Sequence, residues 1–101
     1  MRSVQIVGRL TADPDFKVVN QKELCEFSVA VTDDFDREYA HFFNVTAWGK
    51  RAEVIANNFK KGKEIALTGK LRQERWEKDG QNRSKVVVVL DGFTFVGKKD
   101  E

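Results

Sequence analysis

The stretch HFFNVTAWGK, residues 41–50, predicts a β-strand with two unlike faces. Side chains alternate between the faces of a strand, so Phe43, Val45 and Ala47 share one face and make an ordinary core surface. The other face mixes polar side chains with large aromatic ones, namely Phe42, Asn44, Thr46 and Trp48. A water-facing strand has no packing need for a Phe and a Trp. The two rings are therefore candidates for a binding surface.

The composition predicts a single domain over residues 1–101, because 101 residues with 41% hydrophobic and 34% charged side chains suffice for one core and not for two. A net charge of +2 leaves the choice of partner to the placement of charges. The longest apolar run, VVVVL at 86–90, is too short for a membrane span. A single cysteine, Cys25, and the lack of a charged-then-apolar leader favour a cytoplasmic protein with no membrane partner.

Five segments alternate with period two and predict strands. The first, from Val4 to Leu10, is broken near Asp13-Pro14, and Phe16 and Val18 then resume its alternation. After a turn at residues 20–22, the second strand points its odd-numbered side chains inward from residue 25 to residue 31. The opening stretch is the third strand.

The last two strands follow in the second half of the chain. The fourth starts at about Glu64 and points Ile65, Leu67, Gly69 and Leu71 inward. The Asp-Gly centre of EKDGQN, residues 77–82, predicts a hairpin to the fifth strand. That strand, residues 84–96, is apolar on both faces in its first half, so something besides the core should cover it. We expect a bend at Gly92.

One segment has helical spacing instead. In KRAEVIANNFKKG, residues 50–62, apolar side chains repeat at i, i+3, i+4 and i+7 from Ala52 to Phe59, and Gly62 can close the helix. The order of elements predicts an all-β fold, a five-stranded Greek-key barrel of the oligonucleotide/oligosaccharide-binding type (OB-fold), with one short helix between strands three and four. The strand pattern alone is also compatible with a sandwich or an SH3-like barrel.

Residues for catalysis are not evident in the sequence. One histidine, His41, and one cysteine do not assemble a zinc site or a nucleophile with its base, and no glycine-rich phosphate loop occurs. We read His41 as a surface residue and Cys25 as a small core group. We therefore expect a protein that is not an enzyme, with no catalytic residue, metal, cofactor or small-molecule substrate.

Aromatic side chains outside the expected core come with basic neighbours. Trp76 lies on the outer face of the fourth strand, and Phe35 lies in the polar connection DDFDREYA, residues 33–40. Between Lys70 and Lys85 there are six basic residues against three acidic ones. Rings that stack on unpaired bases, at about 1–3 kcal/mol per base, and cations that neutralise phosphates are what single-stranded nucleic acid requires. The same rings could instead form a subunit interface, a protein-binding surface or a cover beneath a loop.

Four stretches, in order and with matching spacing, resemble the bacterial-type single-stranded DNA-binding proteins over about residues 3–97. They are VGRLTADPDFK (7–17), FSVAVT (27–32), FFNVTAWGKRAEVIANNFKKG (42–62) and GKLRQERWEKDGQNR (69–83). The resemblance implies an OB-fold barrel, usually a homotetramer, that wraps single-stranded DNA in replication, recombination and repair. An RNA-binding or primosomal barrel of the same fold remains an alternative.

The resemblance also implies roles for individual residues. Base-stacking rings would be Phe35, Phe42, Trp48 and Trp76. Phosphate contacts would come from Lys50, Lys61, Arg72 and Arg75, to which we add the neighbouring Lys70, Lys78 and Arg83. Val7 and the fifth strand are candidates for contacts in a homo-oligomer.

Two departures from the family pattern bear on assembly and partners. Phe43 stands where members commonly have a histidine that affects subunit association, so a tetramer and a dimer both remain open. The sequence ends in GKKDE without the usual long linker and acidic tip. We therefore do not expect it to recruit partner enzymes through such a tip. A trimmed chain, a phage or plasmid version and a narrower paralogue all fit, with the bacterial nucleoid or an infected cell as the place of action.

Overall fold

Six strands and one helix follow one another along residues 1–96, which are the residues that the computed structural model describes. The strands are β1 (Ser3–Leu10), β2 (Asp15–Val19), β3 (Lys22–Thr32), β4 (Ala40–Trp48), β5 (Glu64–Lys78) and β6 (Gln81–Phe95), and the helix α1 (Lys50–Asn58) lies between β4 and β5. The predicted single domain also includes residues 97–101, which lie outside the described residues.

The strands form one sheet in the order β1-β5-β6-β4-β3-β2, and β1 also pairs with β3. That extra pairing, Arg9 with Ala30 and Leu10 with Val29, closes five strands into a ring. Neighbours in the ring are antiparallel except for β4 and β6, which run parallel where Val45 lies beside Val88. The ring is the five-stranded OB-fold barrel that the order of elements predicts.

β2 is a sixth strand outside that ring, and it pairs with β3 alone. The sequence pattern treats Phe16 and Val18 as a continuation of the first strand, and this part of the prediction is wrong. The chain leaves the ring after Leu10 and passes Pro14, and β2 then folds back on β3 through a turn in which Asn20 and Gln21 have positive φ. β2 therefore forms a hairpin with β3 at the edge of the sheet.

The core lies inside the ring, and α1 contributes to it. The inward side chains of β3 and β4, among them Val29, Val45 and Ala47, are buried as their spacing predicts. The helix adds Ile55, and Phe59 packs against Phe93 and Phe95 of β6 with ring centroids 5.5 and 5.1 Å away. Phe59 is already extended, so the helix ends at Asn58, and the prediction that Gly62 closes it is wrong. Gly62 lies in the following turn, where its N–H donates to the carbonyl oxygen of Leu10.

Three side chains depart from the predicted alternation. Phe43 and Leu71 have the parity of core residues and are each 37% exposed, because they lie where the ring of strands ends. β4 and β6 pair only at Val45–Val88 and Thr46–Val89, so Phe43 precedes the paired region. Thr46 has outward parity and is only 8% exposed, since paired strands flank it on both sides.

β5 and β6 form a long hairpin whose outer half extends beyond the ring. Its turn has positive φ at Asp79 (52°) and Gly80 (75°), which confirms the hairpin predicted from the Asp-Gly pair. Within β6, Val87 and Val88 are 3% and 2% exposed, whereas Val86 is 58% exposed. The described chain therefore covers both faces of β6 at Val87 and Val88 and leaves Val86 open.

Tight closure of the ring depends on small residues and on an irregular pairing. A Cβ atom on Gly69 would lie 2.5 Å from Val88 Cγ1 and 2.6 Å from the Val89 carbonyl oxygen. Next to this contact the β5–β6 pairing shifts, because Thr68 pairs with Gly92 and Gly69 with Leu90. The shift leaves Asp91 as an extra residue, which is the bulge that bends β6 near Gly92.

Candidate nucleic-acid interface

The outward side of β4 exposes two of the predicted rings. Phe42 is 68% exposed beside Ala30 of β3, and Trp48 is 40% exposed beside Leu24. Ala30 is too short to shield Phe42, whereas the cross-strand neighbour of Trp48 is the larger, buried Leu24. The alternation of HFFNVTAWGK therefore places these rings on the outside of the barrel, as predicted.

Trp76 lies on the β5–β6 hairpin, where it pairs with Arg83 and is 42% exposed. Lys85 Nζ lies 5.9 Å from the centroid of the Trp76 ring and 3.7 Å from Glu74 Oε1. Two open depressions flank the ring. One, of about 410 Å³, is lined by Arg72, Glu74, Arg75, Trp76 and Lys85, and the other, of about 490 Å³, by Arg75, Trp76, Asn82, Arg83 and Ser84.

A third depression lies between β3, β4 and β6. It has a volume of about 320 Å³ and is lined by Glu26 and Phe27 of β3, Asn44, Val45 and Thr46 of β4, and Lys85 and Val87 of β6. Lys85 thus borders both this depression and the one beside Trp76. We call the surface formed by the outward side chains of β3, β4, β6 and β5 the outer face. The strand pairing places Phe42, Trp48 and Trp76 on this face.

Phe35 lies beyond the outer face in the β3–β4 connection, and its side chain is 97% exposed. Asp33 Oδ2 accepts hydrogen bonds from the backbone N–H groups of Phe35 (3.0 Å) and Asp36 (3.1 Å). Asp33 Oδ1 lies 2.7 Å from His41 Nε2. The hydrogen bond with His41, and next that from the Phe35 amide, lower the pKa of the Asp33 carboxyl. The sequence pattern treats His41 as a plain surface residue, and the structure makes it a partner of Asp33.

The predicted phosphate-binding residues do not all gather at the rings. Arg72, Arg75 and Arg83 do, because they line the depressions beside Trp76, whereas Lys70 and Lys78 lie on β5 outside those linings. Lys61 lies in the turn before β5, where its backbone N–H donates to Asp13 Oδ1. β5 begins at Glu64, just after Lys61, and Trp76 lies near its other end, so the two residues lie at opposite ends of this strand.

Lys50, at the start of α1, lies near a pair of carboxyl groups, those of Glu23 and Glu53. Burial, and next the carboxyl of Glu53, raise the pKa of Glu23, whereas the nearby Lys50 opposes this shift. Glu23 Oε2 is a buried oxygen that accepts no hydrogen bond from residues 1–96. The charge of Lys50 is therefore partly balanced by carboxyl groups at the contact between α1 and β3.

The described residues offer little for other kinds of chemistry. Within residues 1–96 no three His, Cys, Asp or Glu side chains are grouped to hold a metal ion. Burial raises the pKa of the Cys25 thiol to about 11, so the reactive thiolate is scarce near neutral pH. None of the helices in that part of the chain is long and apolar enough to cross a membrane.

Comparison with known proteins agrees with this geometry. The model of the single-strand binding protein family matches residues 1–96, which is nearly the whole chain. The chain belongs to the single-strand binding protein family. The OB-fold barrel, the exposed rings of β4 and the basic hairpin are thus features of a member of that family.

Individual curated proteins also resemble this chain in sequence. The single-stranded DNA-binding protein of Treponema pallidum is 42% identical over 101 residues, which are 93% of this chain and 57% of the relative. The single-stranded DNA-binding protein of Aquifex aeolicus is 34% identical, over 97% of this chain and 71% of the relative. The single-stranded DNA-binding protein 2 of a Nostoc species is also 34% identical, over 100% of this chain and 84% of the relative. The chain thus spans a little over half the length of the Treponema protein and more of the other two.

Proposed function

We propose that this protein binds single-stranded DNA without sequence preference, by stacking bases on its exposed rings and pairing phosphates with its basic side chains. One observation carries the proposal: Phe42, Trp48 and Trp76 are exposed on the outer face, in a chain of the single-strand binding protein family. A base presents a flat face whatever its identity, so stacking does not read sequence. Phe35 is the proposed fourth ring, at the β3–β4 end of the path.

The proposed path of the strand runs from β4 across β6 to the β5–β6 hairpin. Phosphates along it would meet a set of basic residues, namely Lys70, Arg72, Arg75, Lys78, Arg83 and Lys85. Lys50 and Lys61 would make contact only where a longer strand continues past the ends of the outer face. Because these cations are dispersed and exposed, they contribute mainly through release of counterions, and affinity should fall as the salt concentration rises.

We further propose that the protein acts as a homo-oligomer, either a dimer or a tetramer. Residues 3–8 of β1 pair with β5 on one edge, and among residues 1–96 the other edge of this segment has no partner strand. Val7 of this segment is 54% exposed and borders a depression of about 380 Å³ lined by β1, β5 and β6. An open strand edge with an apolar side is suited to pairing with a second copy. Light scattering at micromolar concentration tests this, and a monomer would refute it.

The proposed biological role is protection of single strands during DNA replication, recombination and repair, in a bacterial cytoplasm or a phage-infected cell. The protein would act there as a binding protein and not as an enzyme. The role depends on binding alone, because a base that is stacked on a ring of the protein cannot at the same time pair with a complementary strand.

Titration of the intrinsic tryptophan fluorescence with oligo-dT tests the function. Trp48 and Trp76 are both partly exposed on the outer face, so stacked bases should quench their emission strongly. Competition by an RNA of equal length separates a DNA-binding from an RNA-binding barrel. Unchanged emission, together with no shift in the mobility of labelled oligo-dT, would refute the proposal and favour a protein-binding role for the outer face.

A further inference from the structure

A single carboxylate organises the connection between β3 and β4. Both oxygens of Asp33 are engaged, Oδ2 by the amides of Phe35 and Asp36 and Oδ1 by His41. The backbone closes around it, because the N–H of Asp33 donates to the Tyr39 carbonyl (2.8 Å) and the N–H of Tyr39 donates to the Asp36 carbonyl (3.1 Å). The connection therefore has a defined shape although nearly all of it is exposed.

Apolar packing does not supply that shape. Phe35 is 97% exposed, so its ring rests on almost nothing within the described residues. A side chain in this position is directed by its backbone, and the backbone of Phe35 is held by Asp33. A loop that is ordered before binding does not lose its conformational freedom when the ligand arrives, and affinity increases accordingly.

We propose that Asp33 is a positioning residue for single-stranded DNA binding, which holds the loop so that Phe35 is presented to a base. The inference rests on the proposed function of Phe35 as a stacking ring. Asp33 itself does not touch the DNA. His41 secures the second carboxylate oxygen, at 2.7 Å, and Tyr39 packs edge-on against His41 with ring centroids 5.1 Å apart.

The sign of the effect separates positioning from simple electrostatics. A carboxylate near the path of a polyanion repels it, so removing the charge of Asp33 should tighten binding if charge were its only influence. A positioning role predicts the opposite, because Asp33→Ala frees the loop. Asp34 is the matched control, since it lies in the same loop, is exposed and makes no side-chain hydrogen bond with residues 1–96.

The test is a double-mutant cycle on the affinity for fluorescein-labelled oligo-dT, measured by anisotropy in the full chain. We expect Phe35→Ala to weaken binding about 5- to 150-fold. Asp33→Ala should weaken it by at least about twofold and by no more than Phe35→Ala does. In the Phe35→Ala background, Asp33→Ala should have no further weakening effect. Equal weakening in both backgrounds, or tighter binding of the single variant, would overturn the inference.

Two further variants keep the result interpretable. Asp33→Asn retains an oxygen that can accept the two amides, so it should restore most of the affinity. Asp34→Asn should bind as tightly as the unaltered protein or slightly more tightly. Faster hydrogen exchange of the Phe35 and Asp36 amides in Asp33→Ala, in a variant that circular dichroism shows to be folded at the assay temperature, should accompany the loss. If Asp33→Ala leaves that exchange unchanged, the positioning role is refuted.

The same series tells the failure of this inference from failure of the proposed function. If the unaltered protein does not bind oligo-dT, the function itself is wrong. If it binds and Phe35→Ala has no effect, DNA binding stands and both the role of Phe35 and the positioning role of Asp33 are refuted.

Discussion

Replacing Trp76 by alanine should weaken DNA binding without changing its dependence on salt. Stacking on an aromatic ring is worth about 1–3 kcal/mol per base. In the free protein Lys85 Nζ lies 5.9 Å from the ring centroid, near the limit for a cation–π contact. At an exposed site that contact contributes about 0.5–1 kcal/mol. A base that stacks on Trp76 displaces the lysine, so the loss of this contact reduces the net gain from stacking. The expected net loss for Trp76→Ala therefore lies between about 0 and 2.5 kcal/mol, with a mid-range value of about 1.2 kcal/mol, or roughly 8-fold in the dissociation constant.

The assay is anisotropy of labelled oligonucleotides of unrelated sequence, repeated over a series of salt concentrations. The ring carries no charge, so the slope of log K against log salt should be the same for Trp76→Ala and the unaltered protein. Arg72→Gln, across the neighbouring depression, should show the reverse pattern and lower the magnitude of the slope by about 0.7 for one lost phosphate contact. Trp76→Phe keeps a ring at the site and serves as the control.

Two results would refute this reasoning. A loss confined to one oligonucleotide sequence would mean that Trp76 takes part in base-specific recognition. A change of salt slope in Trp76→Ala equal to that in Arg72→Gln would mean that the ring mainly arranges its charged neighbours and does not stack on bases.

Further predictions concern stability. Gly69→Ala should lower the free energy of unfolding by about 1–3 kcal/mol in a urea titration, because its Cβ would overlap Val88 Cγ1 and the Val89 carbonyl. Gly92→Ala, whose Cβ would lie 3.4 Å from Thr68 Oγ1, should lower the free energy of unfolding clearly less. An equal decrease in both variants would contradict the close contact assigned to Gly69. Glu23 has a raised pKa in the folded state, so its stabilising contribution is present at acid pH and is lost as the pH rises from 4.5 through the raised pKa. Glu23→Gln should remove that loss. If the variant shows the same dependence of stability on pH as the unaltered protein, the raised pKa of Glu23 is contradicted. Asp33 has a lowered pKa, so its contribution should instead be lost as the pH falls below 3.8, and Asp33→Asn should remove that loss.

The strands that carry the rings could be predicted from the sequence because they are half buried. In β3 and β4 one face packs on the core, so alternation alone separates Val45 from Phe42. The same rule is wrong at Phe43, Leu71 and Thr46, because parity does not tell where a strand leaves the ring or gains a neighbour on each side. That information lies in the pairing of distant strands, which the local pattern does not contain.

The loop of Phe35 shows a different limit. Aspartates at residues 33, 34 and 36 indicate a turn, and Asp33 and Asp36 do accept amide hydrogen bonds there. The link from Asp33 to His41 joins residues eight positions apart and depends on the closure of the whole connection. Lys61 illustrates the same point for charge, because its position in the family pattern does not show that β5 separates it from Trp76.

Mapping of ultraviolet crosslinks between oligo-dT and the unaltered protein tests the central claim most directly. Bases stacked on the outer face should crosslink to Phe42, Trp48 and Trp76, and to Phe35 at the end of the path, as read by mass spectrometry of the digested complex. Crosslinks confined to the β1 depression around Val7, or to α1, would contradict the claim that the exposed rings of the outer face hold the DNA.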